Sequence, residues 1–230
     1  MKKRLKIALI TVMSLIFLLM SGFFIYVSDY YRADDVAIAV MQSEATMHVE
    51  NNIVLSPAKP GDTALIFYPG AKVECFAYLP ILEKIKQSSG ITCILVKMPF
   101  NMAILNANAA DKIIDQFPDI KNWYIGGHSM GGAMASEYAS KHQNKVKGLI
   151  LLGAYIYGDY PAKNTLTVYG TFNKSVAEKI NYSDNIIAIE GGNHAQFGNY
   201  GKQKGDLDAI ISGEEQQNIT VEAINEFLVR

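Results

Sequence analysis

Residues 123–135 read WYIGGHSMGGAMA, and the fold turns on how this stretch is understood. The bulky apolar residues up to Ile125 predict a buried strand, and the small residues Ala133, Ala135, Ser136 and Ala139 predict a helix lying close against it. Between them stands Gly127-His128-Ser129-Met130-Gly131, a G-x-S-x-G. Alone, that pattern arises by chance. Between strand and helix it describes a sharp, strained turn that lifts a serine hydroxyl to the carboxyl end of a sheet, beside the helix's N-terminal amides. Gly127 and Gly131 leave room where a Cβ would meet the neighbouring strand or helix.

The same rhythm extends on both sides. Short apolar runs at Thr63–Tyr68, Ile91–Val96, Val146–Leu152, Leu166–Tyr169 and Ile186–Ile189 predict further strands. Helical patterns cover Glu74–Gln87, Asn106–Phe117, Gly131–His142 and Thr220–Leu228. His48–Leu55 reads as an edge strand, closed by Pro57, Pro60 and Gly61, and Asp34–Glu44 as a short amphipathic helix. Continuous apolar strands alternating with helices define an α/β fold with a mostly parallel central sheet covered on both faces. The stretch from Gly153 to Thr165 is too short to hold a cap domain.

Ahead of this lies a different segment. Lys2, Lys3, Arg4 and Lys6 precede Ile7–Val27, a run of 21 residues without a charge. As a helix, it matches the hydrocarbon thickness of a bilayer. It is longer than the core of a cleaved signal and ends in bulky aromatic residues with no Ala-x-Ala, so residues 7–27 are expected to form an uncleaved single-pass anchor in the lipid bilayer. The basic flank stays in the cytoplasm and the rest of the chain lies outside, with Tyr26, Tyr30 and Tyr31 in an interfacial aromatic belt. Cleavage would instead release a secreted domain. The expected organisation is residues 1–32 for flank and anchor, 33–62 for a linker helix and edge strand, and 63–230 for the α/β domain.

Composition excludes other classes. Of 230 residues, 50% are hydrophobic and 19% charged, which fits neither a disordered chain nor a charged coiled coil. Two cysteines are too few for a disulfide framework or a four-thiolate zinc site. Removing five basic residues and one acidic residue with the anchor leaves 16 basic against 21 acidic side chains, which does not suit nucleic acid. No glycine-rich phosphate loop with a lysine is present, so no nucleotide is expected. Asp206, Asp208, Glu214 and Glu215 match no EF-hand spacing. Neither a metal nor another cofactor is expected.

An exposed serine on such a turn needs a base and two oxyanion donors. The N–H of Met130 and that of Ala71, on the loop Phe67-Tyr68-Pro69-Gly70-Ala71, are the expected donors. In folds of this kind the partners follow the serine in the order acid, then histidine. His48 precedes Ser129, His128 sits inside the turn pointing away, and His142 lies at the far end of the following helix. His194, on the glycine-flanked loop after the last strand, is therefore the expected general base. The acid is less plain. The strand Leu166–Tyr169 is followed by Gly170-Thr171-Phe172-Asn173, where Gly-x-x-Asp is usual. Asn173 can hold an imidazole through its carbonyl but brings no full charge. Asp159, after the preceding strand, and Glu190, four residues before His194, remain alternatives. Tyr200, Gln203 and Asp206 are expected to brace the histidine loop.

These residues resemble the α/β-hydrolase superfamily over roughly Thr63 to Arg230. The chain is similar in particular to small capless bacterial members with an N-terminal membrane anchor, which share stretches like YPGAKVE (68–74), MPFNMA (98–103), GGHSMGG (126–132) and GGNHAQFGNYGKQKGD (191–206). Family acids usually stand where this sequence has Asn173. The resemblance implies a serine hydrolase, carboxylesterase-like, cleaving an ester, amide or related acyl bond of a small molecule. The alternatives are a catalytically weak binding protein on the same scaffold, and a peptidase.

Overall fold

A computed structural model describes residues 2–43 and 46–229. The chain divides into two units, Met1–Tyr30 and Tyr31–Arg230. The first is helix α1 (Lys2–Ser28), of which Lys3–Ser28 is long and apolar enough to cross a membrane, with none of its most apolar 18 residues buried. Glu44, at the end of the expected amphipathic helix, lies outside the described residues.

The second unit is built on an eight-stranded sheet: β1 (Thr46–Val49), β2 (Asn52–Leu55), β3 (Thr63–Tyr68), β4 (Thr92–Leu95), β5 (Asn122–His128), β6 (Gly148–Leu152), β7 (Thr165–Gly170) and β8 (Ile186–Ile189). Their spatial order is β1-β2-β4-β3-β5-β6-β7-β8; the β1–β2 and β2–β4 pairs are antiparallel and the other pairs are parallel. The α-helices that follow α1 are α2 (Asp35–Met41), α3 (Leu79–Ser89), α4 (Ala109–Gln116), α5 (Met130–Lys141), α6 (Lys174–Ala177) and α7 (Gly213–Leu228). No cap domain covers the sheet among the described residues.

Both faces of the sheet are dry, which is why the strands read as unbroken apolar runs. Along β3, Leu65 and Phe67 join a core with Tyr78, Leu82, Ile85 and Phe227, beneath α3 and α7. Ala64, Ile66 and Tyr68 point the other way and pack with Trp123, Ile125, Ala135 and Tyr138 beneath α4 and α5. Cys75 and Cys93 are free and buried in the first core, and burial pushes the Cys75 thiol up to about 11.

Three expectations need correction. His48–Leu55 is not one strand but a hairpin, since the chain reverses at Glu50, whose φ is 52°. The last helix starts at Gly213 rather than Thr220, because buried Gln216, Gln217 and Thr220 hide its first turns from a purely apolar pattern. Within residues 33–62, α2 packs against α3, and β2 pairs with β4. Tyr31 likewise belongs to the domain rather than to a lipid-facing belt. Its N–H donates to Lys72 O (2.8 Å), its carbonyl accepts from Glu74 N (2.9 Å), and its hydroxyl accepts from Lys204 N (2.9 Å).

Candidate active site

The chain leaves β3 towards β4 on one side and reaches β5 on the other, so the loops at the carboxyl ends of β3 and β5 diverge. A crevice at such a switch point is where ligands bind in open α/β sheets. Here a cavity of about 680 Å³ is lined by Ser129 after β5, Gly153 after β6, Asn173 after β7 and His194 after β8.

Ser129 holds φ at 55° and ψ at −122°, a strained conformation for a residue with a Cβ. The surroundings maintain that strain. A Cβ on Gly131 would overlap the carbonyl oxygens of Tyr68 and Pro69, and one on Gly127 would lie 2.5 Å from the Gly131 backbone. The turn is thus pressed directly onto the end of β3. Ser129 N donates to Leu152 O on β6 (3.0 Å).

Next to the serine, His128 is buried and connects three segments. The Gly70 N–H donates to the Tyr78 hydroxyl (3.1 Å), which lies 2.8 Å from His128 Nδ1, while Nε2 lies 3.0 Å from the His194 carbonyl oxygen. A carbonyl can only accept, so Nε2 carries the proton, Nδ1 accepts, and Tyr78 donates. Burial, reinforced by the neighbouring His194 ring, holds His128 well below the ordinary imidazole value and therefore neutral. Sequence considerations set this residue aside because it points away from the serine. It does, and it joins the β3 loop to the histidine loop.

His194 rests over Gly153, where any Cβ would come within 3.0 Å of Nδ1. Burial lowers its pKa, against an opposing pull from Asp206. Its Nδ1 lies 2.6 Å from the side-chain amide of Asn173, itself buried, and the other end of that amide lies 2.9 Å from Ser175 Oγ. The two ends of an amide have the same shape, and a hydroxyl donates or accepts, so the network fits either orientation. No hydrogen bond joins Ser129 Oγ to the His194 ring among the described residues, a looseness common in sites without substrate.

Of the other expected residues, Met130 lines the cavity, whereas Ala71 is half-buried on the β3 loop outside that lining. Neither backbone N–H has a partner within the chain among the described residues. Asp159 and Glu190 are solvent-exposed and outside the lining, and Asp159 is directed to the α5 side, where its carbonyl accepts from Gln143. Asp206 braces the histidine loop as expected, with Oδ1 accepting from His194 N (3.2 Å) and Oδ2 from Ala195 N (2.7 Å). Sequence alone did not single out Tyr78, Ser175 or Gln216; the last is fully buried and pairs both ends of its amide with the Asn193 backbone. A polar residue on the inner face of α7 was the available signal. Among the described residues no cluster of three His, Cys, Asp or Glu suits a metal ion.

Residues 64–218 match the model of the alpha/beta hydrolase family. No curated protein sequence matches the chain. Among solved structures it is similar to Est1E from Butyrivibrio proteoclasticus, at 14% identity and a TM-score of 0.56, over 81% of this chain and 100% of that one. A dienelactone hydrolase from Anabaena variabilis gives 12% and 0.53 over 80% and 94%. A soluble variant of monoglyceride lipase from Saccharomyces cerevisiae gives 10% and 0.52 over 82% and 96%. At these identities the likeness is one of fold.

Proposed function

Because the chain belongs to the alpha/beta hydrolase family, we propose that it is a membrane-anchored serine hydrolase, an esterase acting on ester or related acyl bonds of small molecules. One observation carries the reading: a serine strained at positive φ shares a cavity with a histidine whose far nitrogen is held by a buried side chain.

In this mechanism Ser129 Oγ attacks the carbonyl carbon while His194 Nε2 takes its proton. The developing oxyanion accepts hydrogen bonds from the N–H groups of Met130 and Ala71. Nε2 then returns the proton to the leaving oxygen or nitrogen, the bond to carbon breaks, and an acyl-serine remains. A water molecule gives one proton to Nε2 and adds to the acyl carbon; Ser129 departs and recovers that proton, releasing the acid. Nε2 must begin unprotonated, so Nδ1 must carry the hydrogen. This requires Asn173 to turn its carbonyl oxygen to the ring, with Ser175 accepting from its NH₂ group. Burial of His194 keeps the neutral form below the usual imidazole range, so the acid limb of kcat/KM is expected below pH 6.5.

The segment after β6 is short and forms no lid over the cavity among the described residues, which favours small or soluble acyl groups over long buried chains. Helix α1, with its basic flank, is assigned to the bilayer and the domain to the extracytoplasmic side. Asn173 in place of a carboxylate favours a second reading, a weak or degenerate hydrolase that serves as a binding protein. A fluorophosphonate probe separates the two. The full chain in detergent should be labelled and should hydrolyse p-nitrophenyl acetate or butyrate, and Ser129→Ala and His194→Ala should lose turnover by about 10³-fold or more. Equal labelling of wild type and Ser129→Ala would remove the hydrolase reading.

A further inference from the structure

We propose that Asp206 supplies the charge that Asn173 lacks, so that the two duties of a triad acid are divided between one residue at the His194 ring and one at its main chain. This rests on His194 acting as the base. In the usual arrangement one carboxylate both fixes the imidazole tautomer and stabilises the imidazolium. Asn173, at Nδ1, does only the first. Among the described residues Asp206 is the one carboxylate lining the cavity. Both of its oxygens accept from main-chain N–H groups, that of His194 itself and that of Ala195, which hold the charge in place without neutralising it. No lysine or arginine pairs with it among the described residues, whereas nearby Asp208 is paired with Lys202.

The loop that delivers this carboxylate is itself held. Asp206 N donates to Gln203 O (3.1 Å), Gln203 Oε1 accepts from the Tyr200 hydroxyl (3.0 Å), and Lys204 N donates to Tyr31. The charged and titratable groups around His194 are few. His128, its ring tilted against that of His194 with centroids 4.5 Å apart, is neutral, Tyr78 and Tyr200 are pushed far up by burial, and Lys174 and Lys204 are exposed at the cavity. Asp206 is the group that opposes the lowering of the His194 pKa by burial. Its negative charge favours the imidazolium that forms as Ser129 loses its proton, which makes it a positioning residue acting through His194.

The test is Asp206→Asn in the full chain, which keeps an acceptor for a loop N–H and removes the charge. The expected result is a fall in kcat of about tenfold or more, KM within about twofold, and an acid limb moved to lower pH. In an Asn173→Asp background, where a charge already sits at Nδ1, the same change should cost less than about threefold. Equal losses in both backgrounds, with an unmoved limb, would mean that Asp206 only braces the loop, and would overturn the proposal. Asp206→Glu guards against a loosened loop: it should keep the wild-type limb even if kcat falls, and a limb like that of Asp206→Asn overturns the idea. If the wild type shows neither labelling nor turnover, the hydrolase reading fails separately. The His194 titration followed by NMR then still decides, because Asp206→Asn must lower that pKa, and no shift refutes the inference.

Discussion

Tyr78 occupies a position with no slack. Its hydroxyl accepts from Gly70 N and donates to His128 Nδ1, and its side chain is fully buried. Tyr78→Phe leaves an amide and an imidazole nitrogen without partners inside the protein, a cost of about 1–3 kcal/mol. Because Gly70 precedes the proposed oxyanion donor Ala71, kcat should fall more than KM rises. Urea unfolding with ester kinetics checks both, and a variant with wild-type midpoint and wild-type kcat would contradict the role given to this network. The sequence indicates the serine turn and the histidine loop because each depends on local glycine and strand signals. It is silent about Tyr78, whose partner lies 50 residues away and is set by the pairing of β3 with β5.

At the scale of elements, the strands are readable because a sheet buried on both faces demands unbroken apolar residues. What escapes are features fixed by long-range polar contacts, such as the hairpin at Glu50, the polar inner face of α7 and the segment at Tyr31. That segment lies between the loop after β3 and the loop carrying Asp206, bonded to Lys72, Glu74 and Lys204, with its ring 5.7 Å from that of Tyr200. As sequence it is indistinguishable from the aromatic end of a membrane helix. A fragment beginning at Ala33 should therefore be less stable than one beginning at Tyr31 by about 3 kcal/mol, counting three hydrogen bonds and one ring contact. It should also be less active, since one loop carries Asp206 into the cavity and the other carries the proposed oxyanion donor Ala71. Equal urea midpoints and equal kcat/KM in the two fragments would show that the contacts of Tyr31 contribute nothing.

For the whole molecule, two histidines at the site have pKa values below 6.5 in the folded state. The unfolded chain binds protons at these groups first as pH falls, so the folded state is fully favoured above about pH 6.5 and loses stability below it. The slope should reach at most about 1.4 kcal/mol per pH unit for each histidine. Denaturant midpoints at pH 7.5 and pH 5.5 measure it, and identical midpoints would contradict the burial described for His128 and His194. The link from Gly70 through Tyr78 and His128 to the His194 carbonyl also ties the loop after β3 to the histidine loop before any ligand arrives. A hydrolase assembled by its own core has no need to draw organising energy from remote parts of a substrate. Trimming the acyl chain should then weaken KM while leaving turnover nearly intact, the behaviour of a generalist rather than of an induced-fit specialist.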